Sequence, residues 1–348
     1  MTRPHDARPL LEISGLRTGF DTYDGRVRAV DGVDLTVHAG KTLCVVGESG
    51  CGKSVTARSI LRLVEAPGSI DGGTITWHGG GEAFDILALD ERDKCLAALR
   101  GGDIGMIFQE PMASLLPLRT IGAQLIETIR IHTGLDKKAA RAKAIDLLGQ
   151  VGIPRPHERV DAYPFQLSGG MCQRAMIAIA LCANPSLLIA DEPTTALDVT
   201  TQARILDLIR SLQAEHQMAV VFITHDLGVV AELADEVAVM YLGRVVERAG
   251  VEELFADPKH PYTKALLASV PVLGRDRGRD LPTIPGAVPN PLHRPGGCSF
   301  HPRCAEAVAG VCDTEDPPEV DLAASRTGTA AGRTVECVLY ADREGAAA

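Results

Sequence analysis

Gly47-Glu48-Ser49-Gly50-Cys51-Gly52-Lys53-Ser54 is a glycine, four residues, then Gly-Lys-Ser. Glycines let a backbone wrap closely, so that successive N–H groups point inward at phosphate oxygens. Lys53 would neutralise β- and γ-phosphate charge, and the Ser54 hydroxyl would bind Mg²⁺. The bland alternative is an ordinary glycine-rich turn. Context argues against it, because residues 42–47 read as a short buried strand and residues 53–64 as a helix.

Working outward, residues 10–46 alternate polar and apolar and predict antiparallel strands, with another strand at 70–78. Residues 112–181 are mostly helical in pattern, broken at Pro154, Pro156 and Pro164. Two apolar strands at 187–190 and 219–224 flank a helical stretch at 201–215. Strand, helix, strand is the order of an α/β core. Beyond about residue 255 the texture changes to a proline run from Pro258 to Pro302, which predicts an irregular, separately organised tail. The division is therefore 1–255, holding a helical part at about 112–181, and 256–348.

Composition agrees with this. A chain of 348 residues is long enough for two domains, or for one large domain with an extension. The net charge of −10 gives no overall positive field toward nucleic acid or an acidic membrane. Aromatics are only 4%, so the core must come from Val, Ile, Leu and Ala, which suits helices on a parallel sheet. The longest apolar run, 175–190, is broken by Asn184-Pro185 and falls short of the roughly 18 residues of a membrane span. The opening residues lack the apolar core of a secretory signal, so a cytosolic chain is expected unless a partner takes it to a membrane.

Two further motifs carry chemistry. Ser186-Leu187-Leu188-Ile189-Ala190-Asp191-Glu192 is an apolar strand ending in two carboxylates. The first can hold the Mg²⁺ of a bound nucleotide, and the second can polarise an attacking water. Leu167-Ser168-Gly169-Gly170-Met171 precedes a helix, with Ser168 placed as its N-cap.

The ordered set now on the page comprises the phosphate loop, Gln109 in Ile107-Phe108-Gln109-Glu110, the Leu-Ser-Gly-Gly-Met pentad, the Asp191-Glu192 strand, Ala196-Leu197-Asp198 and His225. It resembles the ABC ATPase family over roughly residues 10–250. The resemblance implies an α/β cassette with an antiparallel β part, a helical part and an irregular C-terminal extension. It also implies ATP bound by residues 47–54 with Val55, and Phe20, or alternatively Tyr23, stacking on adenine. Ser54, Gln109 and Asp191 would hold Mg²⁺, and Gln109 would signal to the membrane part. Glu192 resembles the catalytic base, His225 the switch histidine on the γ-phosphate, and Lys53 the phosphate lysine. Ser168, Gly169, Gly170 and Met171 resemble the signature that clamps ATP held by the opposite subunit, and Asp198 the acid of the loop crossing the dimer interface. Met171 stands where Gln is commoner, and Cys51 where Ser is frequent; no catalytic position is lost.

Flanking sequence narrows the branch. Phe108-Gln109-Glu110-Pro111-Met112-Ala113-Ser114-Leu115-Leu116-Pro117, Tyr163-Pro164-Phe165-Gln166 and His260-Pro261-Tyr262-Thr263-Lys264-Ala265-Leu266 resemble the ATPases of oligopeptide and dipeptide importers. So do Ile284-Pro285-Gly286 and Cys298-Ser299-Phe300-His301-Pro302-Arg303-Cys304. The branch implies a peripheral subunit on the cytoplasmic face of the membrane. Its partners would be a second ATPase subunit in a head-to-tail dimer (a paralogue, as is common in the branch, or a second copy), two permeases and, indirectly, an extracytoplasmic solute-binding protein. Nickel and other solutes are served by the same branch. A soluble relative acting on nucleic acid or ribosomes fits poorly with one cassette, no sustained heptads and a charge of −10.

Nine cysteines divide into five scattered ones and a late group, Cys298, Cys304, Cys312 and Cys337, separated by 5, 7 and 24 residues. An odd total argues against a disulfide framework and leaves metal open. Four thiolates suit zinc or a [4Fe–4S] cube. The wide spacing, without paired knuckles, resembles the iron–sulfur site implied for some members of the branch; zinc and four buried thiols are the alternatives. The loop and the cysteines read as belonging to separate cores, so nucleotide binding is expected to be indifferent to the tail.

Overall fold

The computed structural model describes residues 8–194, 197–270, 283–322 and 332–343. Strands β1 (Pro9–Thr22), β2 (Gly25–His38), β4 (Gly68–Trp77) and β5 (Phe84–Asp85) form an antiparallel sheet in the order β2-β1-β4-β5. The predicted alternation is visible in β1 and β2, where Leu11, Ile13, Val33, Leu35 and Val37 are buried.

The second sheet has β3 (Thr42–Val46), β6 (Ile104–Ile107), β7 (Leu187–Asp191), β8 (Ala219–Ile223), β9 (Glu236–Tyr241), β10 (Arg244–Gly250), β11 (Glu319–Asp321) and β12 (Thr334–Glu336). Its order is β11-β12-β10-β9-β3-β8-β7-β6. The run from β9 through β3, β8 and β7 to β6 is parallel, and its strands are mostly apolar and buried because both faces are covered. One face packs on the antiparallel sheet and the helix Lys53–Ile60. The other packs on the helical part, whose main helices are Ile121–Thr133, Lys137–Gln150 and Gly169–Leu181. Each begins at a side-chain cap, namely Thr120, Asp136 and Ser168.

The helix after the phosphate loop is shorter than its pattern predicts. It ends at Ile60, and Arg62 turns left-handed (φ 53°) with its guanidinium on the carbonyl of Leu89 at 2.5 Å.

The described residues after 255 include the helix Pro261–Ala268 and long irregular stretches, but they are not separately organised. Val335 of β12 pairs with Glu247 of β10, so the extension lengthens the central sheet. Tyr262 and Phe300 sit in the main core. Arg294 pairs with Asp31, and Arg244 joins Asp316 and Glu336 at 3.0 and 2.9 Å. Among the described residues, Val320, Val335, Cys337 and Tyr340 form a small core cluster of the extension's own.

Candidate nucleotide site and cysteine cavity

The loop 47–54 joins β3 to its helix, as expected. Gly47 (φ 151°) and Gly52 (φ 102°) pass so close to neighbouring carbonyls that a Cβ would lie 2.2 Å from the Met240 oxygen and 2.3 Å from the Ala29 oxygen. Only glycine fits there. Lys53 donates to the carbonyls of Gly47 at 2.7 Å and Glu48 at 2.9 Å. Cys51 is a buried member of the loop, its thiol pushed up by burial.

Ser54 donates to Asp191 Oδ1 at 2.8 Å. Asp191 is fully buried, and its Oδ2 has no hydrogen-bond partner among the described residues. Burial pushes its carboxyl up, against the pull of the Ser54 hydroxyl. An orphaned carboxylate oxygen beside a serine hydroxyl is a donor set that fits a hard cation such as Mg²⁺. Beyond it the chain turns sharply, with Glu192 in the left-handed region (φ 47°) and its N–H bonded to Ile223 at 3.0 Å. A non-glycine residue held there marks stored strain. Gln109 reaches Glu192 Oε2 at 3.3 Å and His225 reaches it at 3.5 Å. Five predicted residues from four separate segments thus meet at the ends of β3, β6, β7 and β8.

Phe20 is half-buried, and its ring lies where a side chain on Gly68 would stand. Tyr23, at the tip of the β1–β2 hairpin, is fully exposed. Ser168 caps its helix, accepting from the Met171 N–H at 3.3 Å. Asp198 caps the helix Val199–His216 through Thr201, whose hydrogen bonds hold its carboxyl below the usual range. Of the motif Ala196-Leu197-Asp198, Ala196 lies outside the described residues. Gly170 packs beside Leu197, so both motifs share one exposed face. Among the described residues no hydrogen bond or ion pair joins 168–171 to the loop 47–54.

The four late cysteines line one small cavity together with His260, Phe300 and other residues. Burial pushes the Cys298 thiol up to about 11 and raises those of Cys304 and Cys337. The backbone at Phe300, Glu306 and Leu339, each two residues on, pulls these values the other way. Cys312 Sγ accepts from Val308 N–H at 3.3 Å. Four cysteines lining one cavity are a donor set that suits a soft metal group. Among the described residues no three His, Cys, Asp or Glu side chains are set to hold a single metal ion.

A contact the sequence does not signal joins the two sites. Arg303, adjacent to Cys304, donates to both carboxylate oxygens of Glu48 at 2.6 and 3.1 Å. The partners are 255 residues apart, and no local pattern marks either for the other. The loop and the tail therefore do not belong to separate cores. A cavity of about 690 Å³ beside Gln109 is lined by Arg58, Arg62, Arg100, Phe108 and Glu110 among others. No helix among the described residues is long and apolar enough to cross a membrane.

Comparison with known proteins places two family signatures on the chain. Residues 30–195 match the ABC transporter family, and residues 246–312 match the oligopeptide/dipeptide transporter C-terminal region. A Brucella melitensis biotype 1 relative, named as a peptide import ATP-binding protein, is 52% identical over 89% of this chain and 93% of its own. A Brucella abortus (strain 2308) relative of the same description is 47% identical over 97% of this chain and 100% of its own. Among solved structures, the ATP-binding cassette MJ0796, in a dimer bound to ADP and Pi, superposes with a TM-score of 0.62 at 26% identity, covering 69% of this chain and 98% of that one. The cassette cbiO1 from Clostridium perfringens gives 0.57 at 26% identity, covering 72% and 91%.

Proposed function

This chain belongs to the ABC transporter family of ATPases, and we propose that it powers the import of peptides, with dipeptides and oligopeptides as cargo. The observation that carries the reading is the assembled end of β7, where Ser54 meets Asp191 while Gln109 and His225 converge on Glu192. The match of residues 246–312 and the naming of the relatives support peptides over nickel or another solute.

In this reading ATP lies along residues 47–55, with its phosphates on the loop N–H groups. Lys53 exchanges the Gly47 and Glu48 carbonyls for phosphate oxygens. Ser54, Gln109 and Asp191 would hold Mg²⁺, which when bound draws off phosphate charge. Water attacks the γ-phosphorus, the bond to the β-bridging oxygen breaks, and Glu192 takes the water's proton. His225 contacts the γ-phosphate and helps to hold Glu192 in line. Adenine stacks on an aromatic of β1 or its hairpin. Phe20 is the family-matched residue, while the exposure of Tyr23 favours it as the ring free to stack.

No hydrogen bond or ion pair among the described residues ties Ser168, Gly169, Gly170 or Met171 to this chain's loop, and in this reading they meet a neighbour's ATP. Asp198 and the exposed Val199 stand on the same face. This supports a head-to-tail dimer with a second ATPase subunit, here assigned to a paralogue. The arginine-lined cavity beside Gln109 is the candidate seat for one of two permeases, which would hold the chain at the cytoplasmic face of the membrane. A solute-binding protein acts through them, and nucleic acid has no part.

Cys298, Cys304, Cys312 and Cys337 would hold a [4Fe–4S] cluster, with zinc as the alternative. The lining of one cavity by all four cysteines supports this reading. Its contribution would be a cross-link across residues otherwise short of core.

The test is reconstitution of the chain with its paralogue, permeases and binding protein in proteoliposomes. Peptide should stimulate ATP hydrolysis and be taken up. Stimulation by a nickel chelate and not by any peptide would move the chain to the other arm of the branch.

A further inference from the structure

Glu48, the second residue of the phosphate loop, is held from the far end of the chain. Its N–H donates to the Tyr262 hydroxyl at 2.9 Å, and its carboxylate receives the two bonds from Arg303. Neither holder is free to wander. The Arg303 side chain is 4% exposed; its Nε donates to the Pro285 carbonyl at 2.9 Å, and its guanidinium stands 5.9 Å over the Tyr241 ring. Tyr262 is fully buried, its ring centroid 4.7 Å from that of Tyr241 and 5.3 Å from that of Phe300. The turn after Tyr241 reaches the loop as well, since the Gly243 N–H donates to the Cys51 carbonyl at 2.8 Å.

We propose that Arg303 and Tyr262 are positioning residues of the nucleotide site, so that the C-terminal extension sets the ATP affinity of the loop. The argument is electrostatic and geometric. A carboxylate in a loop that receives a triphosphate repels it unless a cation is paired with that carboxylate. Arg303 supplies the charge in a planar two-bond geometry, which fixes direction as well as sign. The Tyr262 hydroxyl holds the Glu48 peptide while the Glu48 carbonyl accepts from Lys53. Lys53 can then leave that carbonyl for a phosphate without the loop shifting with it. The proposal rests on residues 47–54 being the phosphate loop, and the controls separate the two claims.

The experiment is equilibrium binding of a fluorescent ATP analogue (mant-ATP) to the full-length chain, with steady-state ATPase of the reconstituted transporter beside it. Arg303→Ala should weaken binding about tenfold and raise KM by a similar factor, with kcat within about twofold of wild type. Adding Glu48→Gln to Arg303→Ala should return affinity to within about threefold of wild type, because the unpaired carboxylate is then gone. Arg303→Lys should fall between the two, since lysine cannot make the paired bonds. Wild-type affinity in Arg303→Ala, or a loss that Glu48→Gln leaves untouched, overturns the proposal. Lys53→Ala is the control for the loop itself. If it binds mant-ATP as wild type does, the phosphate-loop reading fails and takes the proposal with it. If it binds poorly while Arg303→Ala binds normally, only the proposal fails. Should Arg303→Ala not fold, Tyr262→Phe decides, because it keeps the ring and removes only the acceptor. About a threefold loss supports the assignment, and unchanged affinity overturns it.

Discussion

The phosphate loop and the cysteine cavity are assembled in opposite ways. The loop is eight consecutive residues between a strand and its helix, shaped by glycines that no other residue could replace. The cavity gathers four residues spread from 298 to 337, and β12 must pair with β10 before Cys337 is in reach. One site is made by local conformation and the other by closure of the chain. A local site survives as long as the central sheet does. A site made by closure is only as firm as its ties.

The largest expected effect lies on the local side. Glu192→Gln keeps the shape of the strand end but removes the base, so ATP should still bind while turnover falls by about 10²- to 10⁴-fold. Single-turnover phosphate release measures it, and turnover within a few-fold of wild type would remove Glu192 from the role. The cavity should respond in the middle range. Protein purified without oxygen is expected to be brown, with broad visible absorption and about four irons per chain. Serine at any one of Cys298, Cys304, Cys312 or Cys337 should bleach the colour and open the extension to limited proteolysis. Colourless protein with one tightly bound zinc would keep the cross-link and discard the iron. Four titratable thiols with no metal would discard both. Because Arg303 is bonded to Cys304, that serine variant should also lose about two- to threefold in mant-ATP affinity, which sharpens the link between the sites.

The smallest effect concerns the ties. Burial raises the Asp31 carboxyl, but Arg294 and Arg244 beside it outweigh burial and hold it below the usual carboxylate range. A value lower in the folded chain than in the unfolded one adds stability above about pH 4, lost as pH falls through the lowered value. Urea midpoints should therefore separate wild type from Asp31→Asn at neutral pH, and the gap should close in acid. The slope cannot exceed about 1.4 kcal/mol per pH unit for one proton. A constant gap down to pH 2 would remove Asp31 from the acid response.

What the sequence made legible follows the same division. The loop, the acids ending β7 and the cap at Ser168 all rest on residues a few positions apart, where spacing carries the information. The left-handed turn at Glu192 does not show in its own side chain, because the strain is imposed by pairing with Ile223. The strand Ile104–Ile107 is four buried residues with no period to read, and β12 is three residues whose partner lies some 86 positions upstream. The helix predicted to run to 64 stops four residues early, where Arg62 turns left-handed and bonds the distant Leu89 carbonyl. The Arg303–Glu48 pair lies furthest from local pattern, and it is the one that joins the two sites.

The pairing of β12 with β10 has a consequence for the chain as a substance in solution. A strand with one side unpaired offers a row of free N–H and C=O groups, a template on which other chains can add. A chain cut after residue 255 would leave the seven-residue strand Arg244–Gly250 in that state at one margin of the sheet. With the extension in place, that margin becomes Glu319-Val320-Asp321, three residues long, with both acids exposed. Short length and repelling charge make it a poor template. The extension thus also guards against aggregation, and truncated cassettes are expected to precipitate at concentrations the whole chain tolerates.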